Sequence, residues 1–193
     1  MEKPLNKITL PYQFTPRDYQ IPMLRALDSG YKRAYGVWHR RSGKDKVFIN
    51  YMAKEMFKRI GGYYYFLPTY KQGKKIIWNG RDKNGFKFTD HIPHALRTRT
   101  DNGDMIIETI KPAKFMTADE LERRKAGEKV VGSLFQVIGT DNIDSIVGTN
   151  PIGCVFSEWP LQNPAAWDYI RPILAENNGW AIFNGTPRGK NHG

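Results

Sequence analysis

The residues best suited to chemistry fall in two short stretches. The first is Ala34-Tyr-Gly-Val-Trp-His-Arg-Arg-Ser-Gly-Lys-Asp45, an apolar run that breaks into a basic, glycine-containing turn. Ala34 to Trp38 has the composition of a buried strand. Beyond the turn, Ile49, Met52, Ala53, Met56, Phe57 and Ile60 recur at the three-and-four spacing of a helix with one apolar face. Strand, turn and helix in that order leave unpaired N–H groups at the helix N-terminus, where the helix dipole also favours an anion. Arg41, Ser42, Gly43 and Lys44 therefore read as a phosphate-binding loop, with Lys44 a point charge able to reach the outer phosphates of a nucleotide. The common pattern G-x-x-x-x-G-K-[ST] is met incompletely. Trp38 stands where the first glycine would be, and Asp45 where a hydroxyl would bind magnesium. Alone, Ser-Gly-Lys is as well read as an ordinary turn with a solvated lysine; the flanking strand and helix, and a second stretch downstream, favour the functional reading.

The second stretch, Pro151-Ile-Gly-Cys-Val-Phe-Ser-Glu-Trp-Pro160, is an apolar strand ending in a carboxylate. In nucleotide hydrolases of the phosphate-loop class such a strand lies beside the first one and delivers an Asp to magnesium and a Glu to the attacking water. Here the Glu is Glu158, and Ser157 replaces the Asp. Magnesium prefers an octahedral set of oxygens, one or two from protein and the rest from phosphates and water. A carboxylate from the loop, Asp45, and a hydroxyl from the distant strand, Ser157, make the usual donor set with its positions exchanged. ATP and Mg2+ are the expected cofactors, with Asp45 and Ser157 the metal ligands.

The elements that must carry these stretches can be read in order. Thr15 is a good N-cap and Pro16 fits a first helical position, so a helix is expected from Pro16 toward Asp28, with Pro22 inside it. Gln20 is assigned to an adenine contact upstream of the loop; Tyr19 and Arg17 serve equally well as surface residues of a packing helix. After Gly61-Gly62, Tyr63 to Leu67 is strand-like, and Pro68-Thr69 turns the chain into a short basic helix around Lys71 to Trp78. Strand, helix, strand implies parallel pairing, and such sheets bind ligands at the carboxyl ends of their strands. Asn79 to Asp90 is a polar surface excursion. His91 and His94 have no further His or Cys nearby to complete a metal site. Leu96 to Thr100 and Met105 to Ile110 flank Asp101-Asn-Gly-Asp as a hairpin. Thr117-Ala-Asp-Glu120 is a capping box opening a helix that Gly127 closes, and its Arg123, Arg124 and Lys125 are read as a solvated face. Leu134 to Ile138 is a strand. Asn163-Pro164 opens a helix that stops at Asn177, and Trp180 to Phe183 is a last strand ending in Gly185-Thr-Pro. Thr186, at its carboxyl end, could sense the γ-phosphate; a plain Gly-Thr-Pro turn is the simpler reading.

Composition sets the outer bounds. A chain of 193 residues suits a single domain, and 40% hydrophobic with 13% aromatic residues excludes disorder. A formal net charge of +11 and a pI near 9.7 point to a polyanion, double-stranded DNA first. One cysteine, Cys154, excludes an internal disulfide and, inside an apolar run, belongs to a core. No run is apolar for long enough to span a bilayer and the N-terminus lacks a signal-peptide pattern, so a cytosolic protein with no membrane partner is expected.

With these pieces in order, the chain resembles the ATPase domain of phage large terminases, the motors that pump viral DNA into empty capsids. The matching residues are Tyr19-Gln20, His39-Arg-Arg-Ser-Gly-Lys-Asp45, Tyr65-Phe-Leu-Pro-Thr69, Gly139-Thr-Asp-Asn-Ile-Asp144 with Gly148, Val155-Phe-Ser-Glu158 and Gly185-Thr-Pro-Arg-Gly189. Each motif is loose; their shared order spans nearly the whole chain. In that family the loop often lacks its first glycine and carries an arginine, which accounts for Trp38, Arg40 and Arg41. The resemblance implies an α/β phosphate-loop NTPase fold of the RecA-like kind, with a mainly parallel central sheet flanked by helices. It implies that Lys44 binds phosphates, that Glu158 orients or deprotonates water, and that Thr186 couples hydrolysis to movement. It also implies a charge-neutralising arginine: Arg40 or Arg41 within the subunit, or Arg171 or Arg188 from a neighbour. The expected setting is a homo-oligomeric ring on the capsid portal, with double-stranded DNA, portal protein and small terminase subunit as partners, in the cytoplasm of the infected bacterial host. A nuclease domain follows the ATPase in that family, and nothing here corresponds to it. Two other readings stand beside this one: a fragment of a helicase ATPase of related architecture, and a non-catalytic basic DNA-binding module.

Overall fold

The computed structural model describes residues 8–142 and 146–187. Ile143 and Asp144 of the fourth motif, and Arg188 and Gly189 of the last, lie outside the described residues. Seven strands form one sheet: β1 (Arg33–Val37), β2 (Gly62–Leu67), β3 (Arg97–Asp101), β4 (Ile106–Ile110), β5 (Val131–Gly139), β6 (Pro151–Ser157) and β7 (Trp180–Gly185). Their order is β1-β7-β6-β2-β5-β4-β3. The first five are parallel, and β4 and β3 extend the sheet as an antiparallel hairpin. Among the described residues five α-helices flank it, α1 (Ile21–Asp28), α2 (Lys44–Glu55), α3 (Tyr70–Gly73), α4 (Ala118–Lys125) and α5 (Ala165–Glu176), with short 3-10 and π turns between elements. The mainly parallel, helix-flanked sheet expected from the sequence is the one observed.

Parallel strands with one hand of crossover place all their carboxyl ends on one edge. The loop after β1, Pro68 after β2, Thr140 after β5, Glu158 after β6 and Thr186 after β7 therefore share that edge. One face of the sheet carries Tyr63, Tyr65, Leu67, Phe135, Val155 and Ile182 beneath α2, with Met23 and Leu24 of α1 packed at the side. The other carries Tyr64, Phe66, Cys154, Phe156 and Ala181 beneath Ala166, Ile170 and Leu174 of α5. Cys154 is wholly buried, and that burial pushes its thiol well above the usual range, which suits the expected core role.

Five expectations need correction. Ala34 to Trp38 does not form a buried strand: β1 is the sheet edge, with Tyr35 and Val37 exposed. The carboxylate-bearing strand β6 does not lie beside β1, because β7 is inserted between them. The first helix does not begin at Pro16; a 3-10 turn over Asp18–Gln20 precedes α1. Pro22 therefore falls in the first turn of α1, where its missing N–H has no helical partner to lose. Helix α2 stops at Glu55 rather than at Ile60: a tight turn follows in which Glu55 O accepts from Lys58 N and Arg59 N, and the Tyr63 hydroxyl lies 2.7 Å from Arg59 O and 2.9 Å from Glu55 O. Nor is α2 amphipathic in the expected sense, since Val47 to Ala53 are buried without a break.

The peripheral readings stand. Asp101 Oδ1 accepts from the amides of Gly103 and Asp104 at the hairpin turn. The capping box at Thr117 and Glu120 forms in full. Asn163 Oδ1 caps α5 by accepting from Ala165 N at 3.0 Å. His91 is buried against Phe86, its Nδ1 at 2.8 Å from the Tyr12 carbonyl, and burial lowers its basicity. Among the charged residues of α4, Arg123 pairs with Glu128 and Lys125 with Glu122. Among the described residues no helix is long and apolar enough to cross a membrane.

Candidate nucleotide site

The loop leaves β1 at Trp38, whose amide donates to Gly185 O, and Trp38 takes the place of a glycine by packing rather than by turning. Its ring stacks on Phe48 of α2 at 5.5 Å and meets Tyr19 edge-on. The turn itself is made by Arg41 and Gly43, both left-handed, with φ of 63° and 77°. Such φ values are easy for Gly43 and uncommon for Arg41, whose backbone is held from outside. Tyr19 Oη and Gln20 Nε2 both donate to Ser42 O, at 2.5 and 3.0 Å, and an Arg17 guanidinium nitrogen lies 3.4 Å from Arg41 O. Gln20 is buried and also accepts from Arg17 N. Its carboxamide is thus engaged with the loop.

Helix α2 begins immediately after, so the first amides of the helix have no intrahelical carbonyl to meet and face the shared edge. Ser42 Oγ is buried without a partner among the described residues. The guanidinium-bearing residues Arg40 and Arg41 are exposed on the loop, and Arg171 is exposed on α5.

Lys44 and Glu158, distant in sequence, meet: Nζ lies 2.8 Å from Oε1, and both side chains are largely buried. Glu158 follows β6 in a left-handed conformation, φ 58° and ψ 42°. A non-glycine residue there is strained by roughly 1–3 kcal/mol and persists only where the surroundings over-determine it. Thr186 Oγ1 reaches Glu158 Oε1 at 3.4 Å, while Glu158 Oε2 is buried with no partner among the described residues. That leaves one carboxylate oxygen free to accept a proton or a hydrogen bond from a bound water.

The expected metal pair is also in contact. Ser157 Oγ donates to Asp45 Oδ1 at 2.6 Å. Tyr65 Oη donates to the same Oδ1 at 2.7 Å, and Ser157 Oγ lies 3.3 Å from Asn184 Oδ1. Burial, reinforced by the Asp45 carboxylate, keeps the Tyr65 phenol well above its ordinary range, so it remains a donor. Among the described residues no three His, Cys, Asp or Glu side chains converge as a self-sufficient metal cage. A carboxylate and a hydroxyl are both hard oxygen donors, and a pair of that kind suits Mg2+ held jointly with phosphates and water. The residues present fit the ion.

Three contributors had no role in the sequence reading. Tyr65 opens the motif Tyr65-Phe-Leu-Pro-Thr69, but within an aromatic run its type gives its hydroxyl no site role. Asn184, fully buried in Trp180-Ala-Ile-Phe-Asn-Gly185, did carry one: a carboxamide amid apolar strand residues. Gln162 Nε2 donates to the carbonyls of Phe66 and Ser157 at 3.0 and 2.8 Å, tying β2 to β6 at the site edge.

No protein-family model and no curated protein matches this sequence. Solved structures do. The large terminase ATPase domain of Thermus phage P74-26 is similar at a TM-score of 0.58 and 19% identity, covering 93% of this chain and 72% of that one. A variant of the same domain with an arginine changed to alanine gives a TM-score of 0.61 at 19% identity, over 93% and 73% of the two chains. At that identity the likeness is one of fold. The chain has the phosphate-loop fold of a large terminase ATPase domain.

Proposed function

We propose that this chain is the ATP-hydrolysing motor domain of a terminase large subunit, driving double-stranded viral DNA into a capsid. The observation that carries the reading is the Lys44–Glu158 pair, 2.8 Å apart and delivered by two strand ends, with Thr186 beside it. A phosphate-binding lysine and a carboxylate with one buried, unpartnered oxygen are what hydrolysis of a phosphoanhydride by water requires on either side of the reacting phosphorus.

In this mechanism the first amides of α2 and Lys44 bind the phosphates, Lys44 exchanging Glu158 for the anion. Glu158, released from Lys44, orients the attacking water through its carboxylate and accepts its proton. Asp45 and Ser157 would hold the Mg2+, which when bound offsets charge on the phosphate oxygens. Thr186, whose hydroxyl touches Glu158, couples hydrolysis to movement on this reading. A transition-state arginine, worth roughly three to five orders of magnitude in rate, comes from Arg40 or Arg41, or from Arg171 or Arg188 of a neighbour in a ring. The net charge of +11 supports DNA as the polyanion. On the same reading, portal protein and small terminase subunit are the other partners, and the cytoplasm of an infected bacterium is the setting.

The test is ATP hydrolysis by wild type and Glu158→Gln, with nucleotide binding followed in parallel across protein concentration. Glu158→Gln is expected to bind ATP normally and to lose turnover by roughly 10²–10⁴-fold. Wild-type specific activity that rises with concentration assigns the arginine to a neighbour; activity independent of concentration assigns it to Arg40 or Arg41. A wild type that binds no nucleotide sinks the reading. A Glu158→Gln variant that hydrolyses ATP normally removes Glu158 from the chemistry.

A further inference from the structure

Two buried polar side chains at the site have no part in the mechanism above. Tyr65 lies in β2 on the face covered by α2, fully buried among Phe48, Val155 and Ile182 of the same core cluster. A phenylalanine would supply the same packing, so the hydroxyl is the informative atom, and its acceptor is Asp45 Oδ1. Burying a hydroxyl is unfavourable unless it is hydrogen-bonded, which makes this contact a structural commitment rather than an accident of crowding. Asn184 stands directly opposite Ser157 in the β6–β7 register. Its Oδ1 lies 3.3 Å from Ser157 Oγ, while its Nδ2 is buried without a partner among the described residues.

Ser157 has one proton, and the nearer acceptor, Asp45 at 2.6 Å, takes it. The two ends of a carboxamide are alike in shape, so turning the Asn184 amide by half a rotation is sterically neutral. The nitrogen then donates to Ser157 Oγ, and one directed chain results: Asn184 to Ser157 to Asp45, with Tyr65 joining at the same carboxylate oxygen. Without these donors Asp45 sits in the first turn of α2, where a carboxylate is free to turn back on its own helix amides.

We propose that Tyr65 and Asn184 are positioning residues, which hold Asp45 and Ser157 together in the arrangement that receives a divalent cation with its nucleotide. The proposal rests on the reading of Asp45 and Ser157 as cation ligands. Removing a hydrogen-bond partner of a ligand typically weakens metal binding by about 10–100-fold. The effect belongs to the cation: phosphate binding by Lys44 and the loop amides does not pass through Tyr65 or Asn184.

The experiment uses Tyr65→Phe, which keeps the ring, and Asn184→Leu, which keeps the volume. Mn2+ replaces magnesium as a spectroscopic probe, and free Mn2+ is counted by electron paramagnetic resonance in the presence of ADP. ADP binding is measured separately in excess chelator, and thermal melting verifies folding. Each variant is expected to lose about tenfold or more in Mn2+ affinity while cation-free ADP binding stays at the wild-type level. A folded Tyr65→Phe variant with wild-type Mn2+ affinity overturns the assignment of Tyr65, and equal losses in Mn2+ and chelator-treated ADP binding reduce both residues to packing. Should Tyr65→Phe fail to fold, Asn184→Leu carries the same comparison. A wild type that binds ADP but no Mn2+ would remove the ligand roles of Asp45 and Ser157 and this proposal with them; a wild type that binds no ADP fails earlier, at the nucleotide reading itself.

Discussion

The two halves of the site are held by opposite means. The phosphate loop grows from β1, the sheet edge, where Tyr35 and Val37 are 42% and 57% exposed. Its shape depends on tethers from residues that precede the strand: Tyr19 and Gln20 on Ser42 O, and Arg17 near Arg41 O. The carboxylate-bearing half grows from β6, a strand buried at every position between β7 and β2. There Ser157 and Glu158 are set by the strand itself, by the left-handed turn at Glu158 and by Gln162 bracing the β2 and β6 carbonyls. An edge loop clamped by a few hydrogen bonds can adjust to phosphates that come and go. A strand inside a packed sheet cannot shift without disturbing both neighbours, which suits the water-aligning role proposed for Glu158.

The sharpest way to break this contrast is to exchange functions across it. Asp45→Thr and Ser157→Asp are each expected to reduce magnesium-dependent turnover by about tenfold or more, and the double variant to recover part of the loss. Steady-state rates at varied Mg2+ measure it. A double variant no better than the worse single means the two positions do not share one ion. Loosening the edge half alone is the next largest change. Gln20→Ala removes one of two donors to Ser42 O and the acceptor of Arg17 N, and is expected to destabilise the fold by about 0.5–1.5 kcal/mol. Because Gln20 is engaged with the loop, ATP and GTP should lose affinity equally. A loss confined to ATP would instead make Gln20 a reader of the base. The smallest effect belongs outside both halves. Thr117→Ala strips the N-cap of α4 and should lower stability by about 1 kcal/mol, or roughly 2–4 °C in Tm for a chain of this size, with turnover untouched. A drop in turnover would mean that α4 is coupled to the site.

Much of the site was legible because its halves are local. Ser42-Gly43-Lys44 after an apolar run, and Ser157-Glu158 at the end of another, identify themselves by residue type, and the hairpin and capping box do so by short-range hydrogen bonding. The early end of α2 was not legible, because the phenol of Tyr63 reaches back to carbonyls that apolar spacing does not register. The exposure of β1 was not legible either. Tyr35 and Val37 look like core residues by type, and Tyr35 does use one face, stacking at 6.3 Å on Phe183, while the strand's outer edge stays unpaired with any other strand of the sheet.

By itself the sequence determined which strands and α-helices form and in what order, though not the start of α1 or the end of α2, since propensity, capping and apolar periodicity act over a few residues. It also determined the chemical inventory: one lysine after a glycine turn, one carboxylate closing a strand, and a hydroxyl and a carboxylate in exchanged positions. The tertiary structure alone decided that β7 enters between β1 and β6, that Lys44 meets Glu158, and that Asp45 accepts hydrogen bonds from both Tyr65 and Ser157, the latter 112 residues away. Those outcomes depend on which strands pair and which faces are buried. Strand order follows from burial summed over both faces of the whole sheet, a quantity that no local window of residues contains.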